Sequence, residues 1–141
     1  MTNIFIAGGS GGVGEALREL IAEMDGAELA GMADDTYGAI EGFLELAHRR
    51  VLPKVLILDI QLADGSGLGV LRFIKRIFPA TKVIMLCDSA LSGYREHCTR
   101  DGADYFFDKA TEFPRLQQVM CELVAGFKRC DDAPGNVGVV A

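Results

Sequence analysis

The sequence predicts an α/β fold, five βα units wound into one parallel five-stranded sheet with helices on both faces. Two observations carry this. Short apolar blocks rich in β-formers alternate with longer stretches of helical period, which is the pattern of βα units. Two of the blocks, Lys54 to Asp59 and Lys82 to Leu86, contain continuous Val/Ile/Leu/Met runs with no period-two alternation. Such runs fit central strands covered on both faces.

Taken in order, the first strand is Asn3 to Ala7, and a glycine-rich turn leads from it to a helix over Val13 to Met24. Leu17, Leu20, Ile21 and Met24 mark one face of that helix at the i, i+3, i+4, i+7 spacing. The second strand, Glu28 to Ala33, precedes a helix over Tyr37 to Arg49. The third strand ends at Asp59, and the helix after it, Leu68 to Phe78, carries Leu68, Leu71, Ile74 and Phe78 on one face and stops at Pro79. The fourth strand precedes a helix over Ser92 to Arg100, stopped by Asp101-Gly102. The fifth strand, Asp104 to Phe107, leads to a last helix over Phe113 to Lys128, with Pro114 in its first turn. The pattern fails after Cys130, so residues 1–130 are read as one domain and Asp131 to Ala141 as a flexible C-terminal tail.

At 141 residues the chain has the size of one domain, and 50% apolar with 24% charged residues is a globular composition. A net charge of −6 argues against docking on nucleic acid, which needs clustered Lys and Arg. The longest apolar runs fall far short of the ~20 residues that span a bilayer. No basic, apolar, small-residue leader precedes the first strand, so the expected location is cytoplasmic. Cys87, Cys98, Cys121 and Cys130 form no C-x-x-C pair and have no His at metal-finger spacing, and they read as free thiols. His48 and His97 lie on helices without partners at ligand spacing.

Ligands and reactions of an open parallel sheet sit at the carboxyl ends of its strands. The residues there are Gly8-Gly9, Asp34-Asp35, Asp59, Cys87-Asp88-Ser89 and Asp108-Lys109. Asp59 stands out because it closes the buried run Val55 to Leu58, where a carboxylate needs a nearby cation or donors, and Lys109 after the fifth strand is a candidate for that cation. A strand-end Asp that caps its own loop is the plain alternative.

Two stretches carry a resemblance. Leu58-Asp59-Ile60-Gln61-Leu62-Ala63-Asp64-Gly65-Ser66-Gly67-Leu68 is similar to the phosphoacceptor strand and loop of bacterial response-regulator receiver domains. Gly102-Ala103-Asp104-Tyr105-Phe106-Phe107-Asp108-Lys109 is similar to the segment bearing that family's phosphate-binding Lys. The resemblance covers residues 3 to about 128 and implies a flavodoxin-like (βα)5 doubly wound fold. It further implies a signalling role in a phosphorelay rather than an enzyme. Asp59 would accept a phosphoryl group from a sensor histidine kinase or phosphotransfer protein, and Lys109 would pair with a phosphoryl oxygen.

In the family, Mg²⁺ is held by the acceptor Asp, the backbone carbonyl two residues on and an acidic pair after the first strand. Here these are Asp59, the carbonyl of Gln61, and Gly8 and Gly9. Mg²⁺ prefers anionic oxygens in octahedral array, so the implied cation is bound weakly or not at all. The family's Thr or Ser after the fourth strand aligns with Cys87, a weak donor. Ala63 and Ala110 stand where Pro is common. Phe106 matches an aromatic switch position, although with Cys87 behind it a core role is the favoured reading.

Output would then run by protein–protein contact with a downstream target, through the face of the fourth helix, fifth strand and fifth helix, with homodimerisation there as an option. The chain reads as a stand-alone receiver. A competing reading comes from Gly8, Gly12 and Gly14, which match the Gly-x-x-x-Gly-x-Gly spacing of short-chain dehydrogenases, with Asp34 or Asp35 where a ribose-binding carboxylate belongs. That makes an NAD(P)-binding module the alternative, although the chain has no second nucleotide-binding half. A redox role for Cys87 is a further option, set against inert packing.

Overall fold

The computed structural model of the chain describes residues 1–9, 12–88 and 93–132. Its elements run β1 (Thr2–Ala7), α1 (Val13–Glu23), β2 (Ala27–Ala33), α2 (Thr36–His48), β3 (Val55–Asp59), β4 (Gln61–Leu62), β5 (Gly65–Ser66), α3 (Gly67–Ile77), β6 (Lys82–Cys87), α4 (Arg95–Arg100), β7 (Tyr105–Asp108) and α5 (Phe113–Asp132). Five strands form one sheet in the order β2-β1-β3-β6-β7, and every pairing in it is parallel. This is the flavodoxin-like order, with the direction of winding reversing between β1 and β3.

The apolar runs of β3 and β6 are buried because alternate residues serve opposite faces. Leu56, Leu58, Val83 and Met85 pack with Phe43, Val70, Leu71 and Ile74 of α2 and α3. Val55, Ile57, Ile84 and Leu86 pack with Leu17 and Ile21 of α1 and with Leu116, Met120 and Val124 of α5. Two separate apolar layers thus clamp the sheet, each burying side chains that contribute about 1.5–3 kcal/mol apiece. Fixing the sheet from both sides holds its strand ends, where the chemistry lies, in a rigid register.

The structure differs from the sequence reading at several element boundaries. Residues Gln61 to Ser66 form an antiparallel ribbon, β4 with β5, that a strand-length pattern does not reveal. The last strand begins at Tyr105, because Asp104 uses its side chain to accept the Val83 N–H at 2.9 Å and the Lys75 ammonium at 3.1 Å. Helix α5 continues to Asp132, past the expected end at Lys128, since no Gly or Pro stands between Lys128 and Pro134. Residues 133–141 of the expected tail, Ser92 of the fourth helix, Ser89, and Ser10 and Gly11 of the glycine-rich turn lie outside the described residues.

Candidate functional site

The carboxyl ends of β1, β3, β6 and β7 bring Gly8-Gly9, Asp59, Cys87-Asp88 and Lys109 together. Asp59 is 1% exposed, and the Lys109 ammonium, itself 7% exposed, donates to its Oδ2 at 2.6 Å. Two backbone donors join it. The Gln61 N–H reaches Oδ1 at 3.2 Å and the Gly9 N–H reaches Oδ2 at 3.4 Å. Asp88, 58% exposed, approaches the same ammonium from the solvent side at 3.6 Å. A buried carboxylate is costly unless paired and hydrogen-bonded, and this one is both.

Local sequence explains the placement. After Asp59 the Ile60 N–H still bonds Leu86 O at 2.9 Å, and the chain then leaves the sheet through the β4–β5 ribbon. The Gly67 N–H returns to Ile60 O at 2.6 Å, and a Cβ at residue 67 would fall on the Asp59 carbonyl oxygen, so this closure requires glycine. The ribbon is fastened outside as well. Asp64 accepts the Thr36 N–H at 2.7 Å and its hydroxyl at 2.6 Å, while the Ala63 N–H bonds Asp34 O at 2.9 Å. Those bonds from Thr36 hold the Asp64 carboxyl below the usual range. The loop after Asp59 is thereby tied to the start of α2.

Gly8 and Gly9 have φ of +94° and +93°, a region L side chains avoid. A Cβ on Gly8 would lie 2.5 Å from Asp59 Cβ, and one on Gly9 would lie 2.9 Å from Gly14 Cα. The turn after β1 therefore has no room for acidic side chains in its present conformation. Of the implied Mg²⁺ ligands, one carboxylate is present, Asp59, and it is already ion-paired; among the described residues no group of three His, Cys, Asp or Glu stands ready for a metal. The residues present do not fit the cation.

Cys87 is fully buried in the α2/α3/α4 layer together with Phe106 and Cys98. Burial first, and the nearby Asp108 carboxylate second, push its thiol up to about 11. It is protonated at neutral pH, which is the opposite of a reactive cysteine. Phe106, 5% exposed, lies in the same layer, with the Arg95 guanidinium 4.7 Å from its ring centre. Arg95 also donates to the Phe106 carbonyl at 3.0 Å and to Glu112 at 3.1 Å, and Glu112 in turn accepts the Asp108 N–H at 2.9 Å. These bonds hold the Glu112 carboxyl low. Arg95, Glu112, Asp88 and Thr36 had no assigned part in the sequence reading. Only Asp88 left a signal, as a strand-end acid; the Arg95–Glu112 and Thr36–Asp64 contacts join residues 17 and 28 apart with no local pattern.

Gly8 and Gly14 of the alternative cofactor reading line a cleft of about 550 Å³ together with Gly9, Arg18 and Asp34. The N–H of Gly14, in the first turn of α1, is occupied by Gly9 O at 2.8 Å, and Asp35 caps α2 through the Gly38 N–H at 2.7 Å. Donors that would face a pyrophosphate are thus partly engaged within the protein.

A doubly wound sheet with a buried Asp–Lys pair at its switch point defines a receiver module of signalling proteins. The chain belongs to the response regulator receiver domain family, which it matches over residues 5–120. A Myxococcus xanthus (strain DK1622) relative, protein-glutamate methylesterase/protein-glutamine glutaminase 5, is 31% identical over 114 residues. That match takes in 79% of this chain and 31% of the relative, so the chain spans about a third of its length. Among solved structures, the response regulator domain of Thermotoga maritima CheB has a TM-score of 0.72 at 22% identity, covering 89% of this chain and 95% of that one. The REC domain of AraT, a response regulator from Geobacillus stearothermophilus, gives 0.74 at 22% identity, covering 93% and 98%. At such identities these two likenesses establish the fold. No helix among the described residues is long and apolar enough to cross a membrane.

Proposed function

We propose that this receiver domain takes a phosphoryl group on Asp59 from the phosphohistidine of a sensor kinase or phosphotransfer protein, slowly, and signals by contact with a downstream protein. The observation that carries this is the 2.6 Å pairing of Asp59 with Lys109 at the carboxyl ends of the central strands. In the transfer, a carboxylate oxygen of Asp59 attacks phosphorus, the P–N bond to the donor imidazole breaks, and the imidazole leaves with its electron pair and takes a proton. Lys109 is placed to stay beside the charge as it moves from carboxylate to phosphoryl oxygens.

Three features make the step slow. Asp59 is covered by Lys109, which must shift before phosphorus can approach a carboxylate with 1% exposure. The residue at the hydroxyl position is Cys87, a weak donor turned into the apolar layer. No acidic pair joins Asp59, so Lys109 and backbone donors are left to balance the incoming charge. Output is assigned to the face of α4, β7 and α5, where Arg95 and Glu112 link all three. The test is transfer from a phosphohistidine donor protein to this chain. Label should accumulate on the wild type and be absent from Asp59→Asn; equal labelling of the two proteins would refute Asp59 as acceptor.

A further inference from the structure

We propose that the Gly8–Gly9 turn supplies from the backbone part of the positive charge that a divalent cation would otherwise bring to Asp59, so that the resting site holds no metal ion. This deepens the reading above and rests on Asp59 as the centre of the site, but its test involves no phosphoryl transfer, so either can fail alone.

Among the described residues the Asp59 carboxylate is held by three donors: the Lys109 ammonium at 2.6 Å, the Gln61 N–H at 3.2 Å and the Gly9 N–H at 3.4 Å. A divalent cation needs the reverse, oxygens converging on one point. The glycine carbonyls do not provide them. All peptide bonds among the described residues are trans, and in a trans peptide the C=O points opposite to the N–H. Because the Gly9 N–H is aimed at Asp59, the carbonyl of Gly8 in the same peptide is aimed away from it. The carbonyl of Gly9 is engaged elsewhere, accepting the Gly14 N–H at 2.8 Å.

The turn is held in that orientation. The Gly8 N–H bonds Ala33 O at 2.8 Å on the neighbouring strand, so the two glycines are anchored to β2 on one side and to α1 on the other. Turning the Gly9 carbonyl toward Asp59 would break its bond to Gly14, and turning the Gly8 carbonyl there would take the Gly9 N–H off the carboxylate. Positive φ at both positions, with the close approach of Asp59 Cβ and Gly14 Cα, keeps side-chain ligands out as well. Of the implied ligands a cation would find one carboxylate, Asp59, and would have to displace Lys109 from it.

The experiment is ¹H–¹⁵N NMR of the full chain with Mg²⁺ alone, at constant ionic strength, following the Gly9 and Gln61 amides. Millimolar Mg²⁺ should leave both signals in place and leave the melting temperature unchanged. Asp59→Asn should shift both amides, because a neutral amide oxygen is a weaker acceptor than a carboxylate. A saturable Mg²⁺-dependent shift of these amides in the wild type, lost in Asp59→Asn, would overturn the proposal. So would amides that do not respond to Asp59→Asn, since the backbone donors would then not be engaged with the carboxylate.

Discussion

Removing Lys109 should destabilise the fold far more than neutralising Asp59, although the two residues form one ion pair. In Lys109→Met the aliphatic stem is retained and the ammonium is lost, leaving a carboxylate with 1% exposure and no charged partner at bonding distance. Breaking a buried pair from one side costs about 3–5 kcal/mol. The remaining Gln61 and Gly9 donors, at 3.2 and 3.4 Å, lie at or beyond the long end of the hydrogen-bond range and offset about 1 kcal/mol. The expected loss is therefore roughly 2–4 kcal/mol, on the order of 10 °C in melting temperature for a domain of this size. Asp59→Asn is different. It removes the buried charge itself, keeps the side-chain shape, and leaves Lys109 beside Asp88, which is 3.6 Å away and 58% exposed. A long, flexible stem also lets the ammonium reach water. That variant should cost about 1 kcal/mol or less. Urea denaturation of the three proteins measures the difference as a change in midpoint at constant slope. Asp59→Asn costing as much as Lys109→Met would refute the reasoning.

Gly8→Ala combines positive φ with a Cβ 2.5 Å from that of Asp59 and should destabilise by about 2 kcal/mol or more in urea, whereas Gly69→Ala, with nothing within 4 Å, should be neutral or stabilising. Native Cys87 should resist a thiol reagent at neutral pH while exposed Cys121 reacts, and Cys87 should become reactive only on unfolding. Arg95→Ala should raise hydrogen exchange in α4, because that helix has one fully buried side chain, Cys98, and Arg95 is its polar tie to β7 and Glu112. The Glu112 carboxyl is lowered in the folded state, so its contribution is present above the unfolded-state value and is lost as pH falls through the folded one. Glu112→Gln should accordingly flatten that part of the acid limb of a pH–stability curve.

Much of the fold was legible because buried parallel strands leave an unmistakable record. Val55 to Leu58 and Val83 to Leu86 are apolar at every position, and the structure buries each of them. The site was legible in outline for a related reason: a lone carboxylate closing such a run requires compensation, and Lys109 closes another strand of the same sheet. What the sequence did not reveal depends on backbone direction or on distant partners. Gly8 and Gly9 could be read as absent ligands, but not as an amide aimed at Asp59 with its carbonyls turned away. The clamp of Asp64 on Thr36 and the latch of Arg95 on Phe106 and Glu112 have no periodicity to betray them, since each is created by the sheet order itself. The end of α5 was missed because Cys130 to Asp132 neither favour a helix strongly nor stop one.

The central claim, an acceptor Asp59 that works without a metal, meets its most direct test in intact mass after incubation with a small phosphodonor, with Mg²⁺ and with a chelator in parallel. One phosphoryl group should be added slowly and at the same rate in both, and none on Asp59→Asn. No added phosphate under either condition, or addition that requires Mg²⁺, would contradict it.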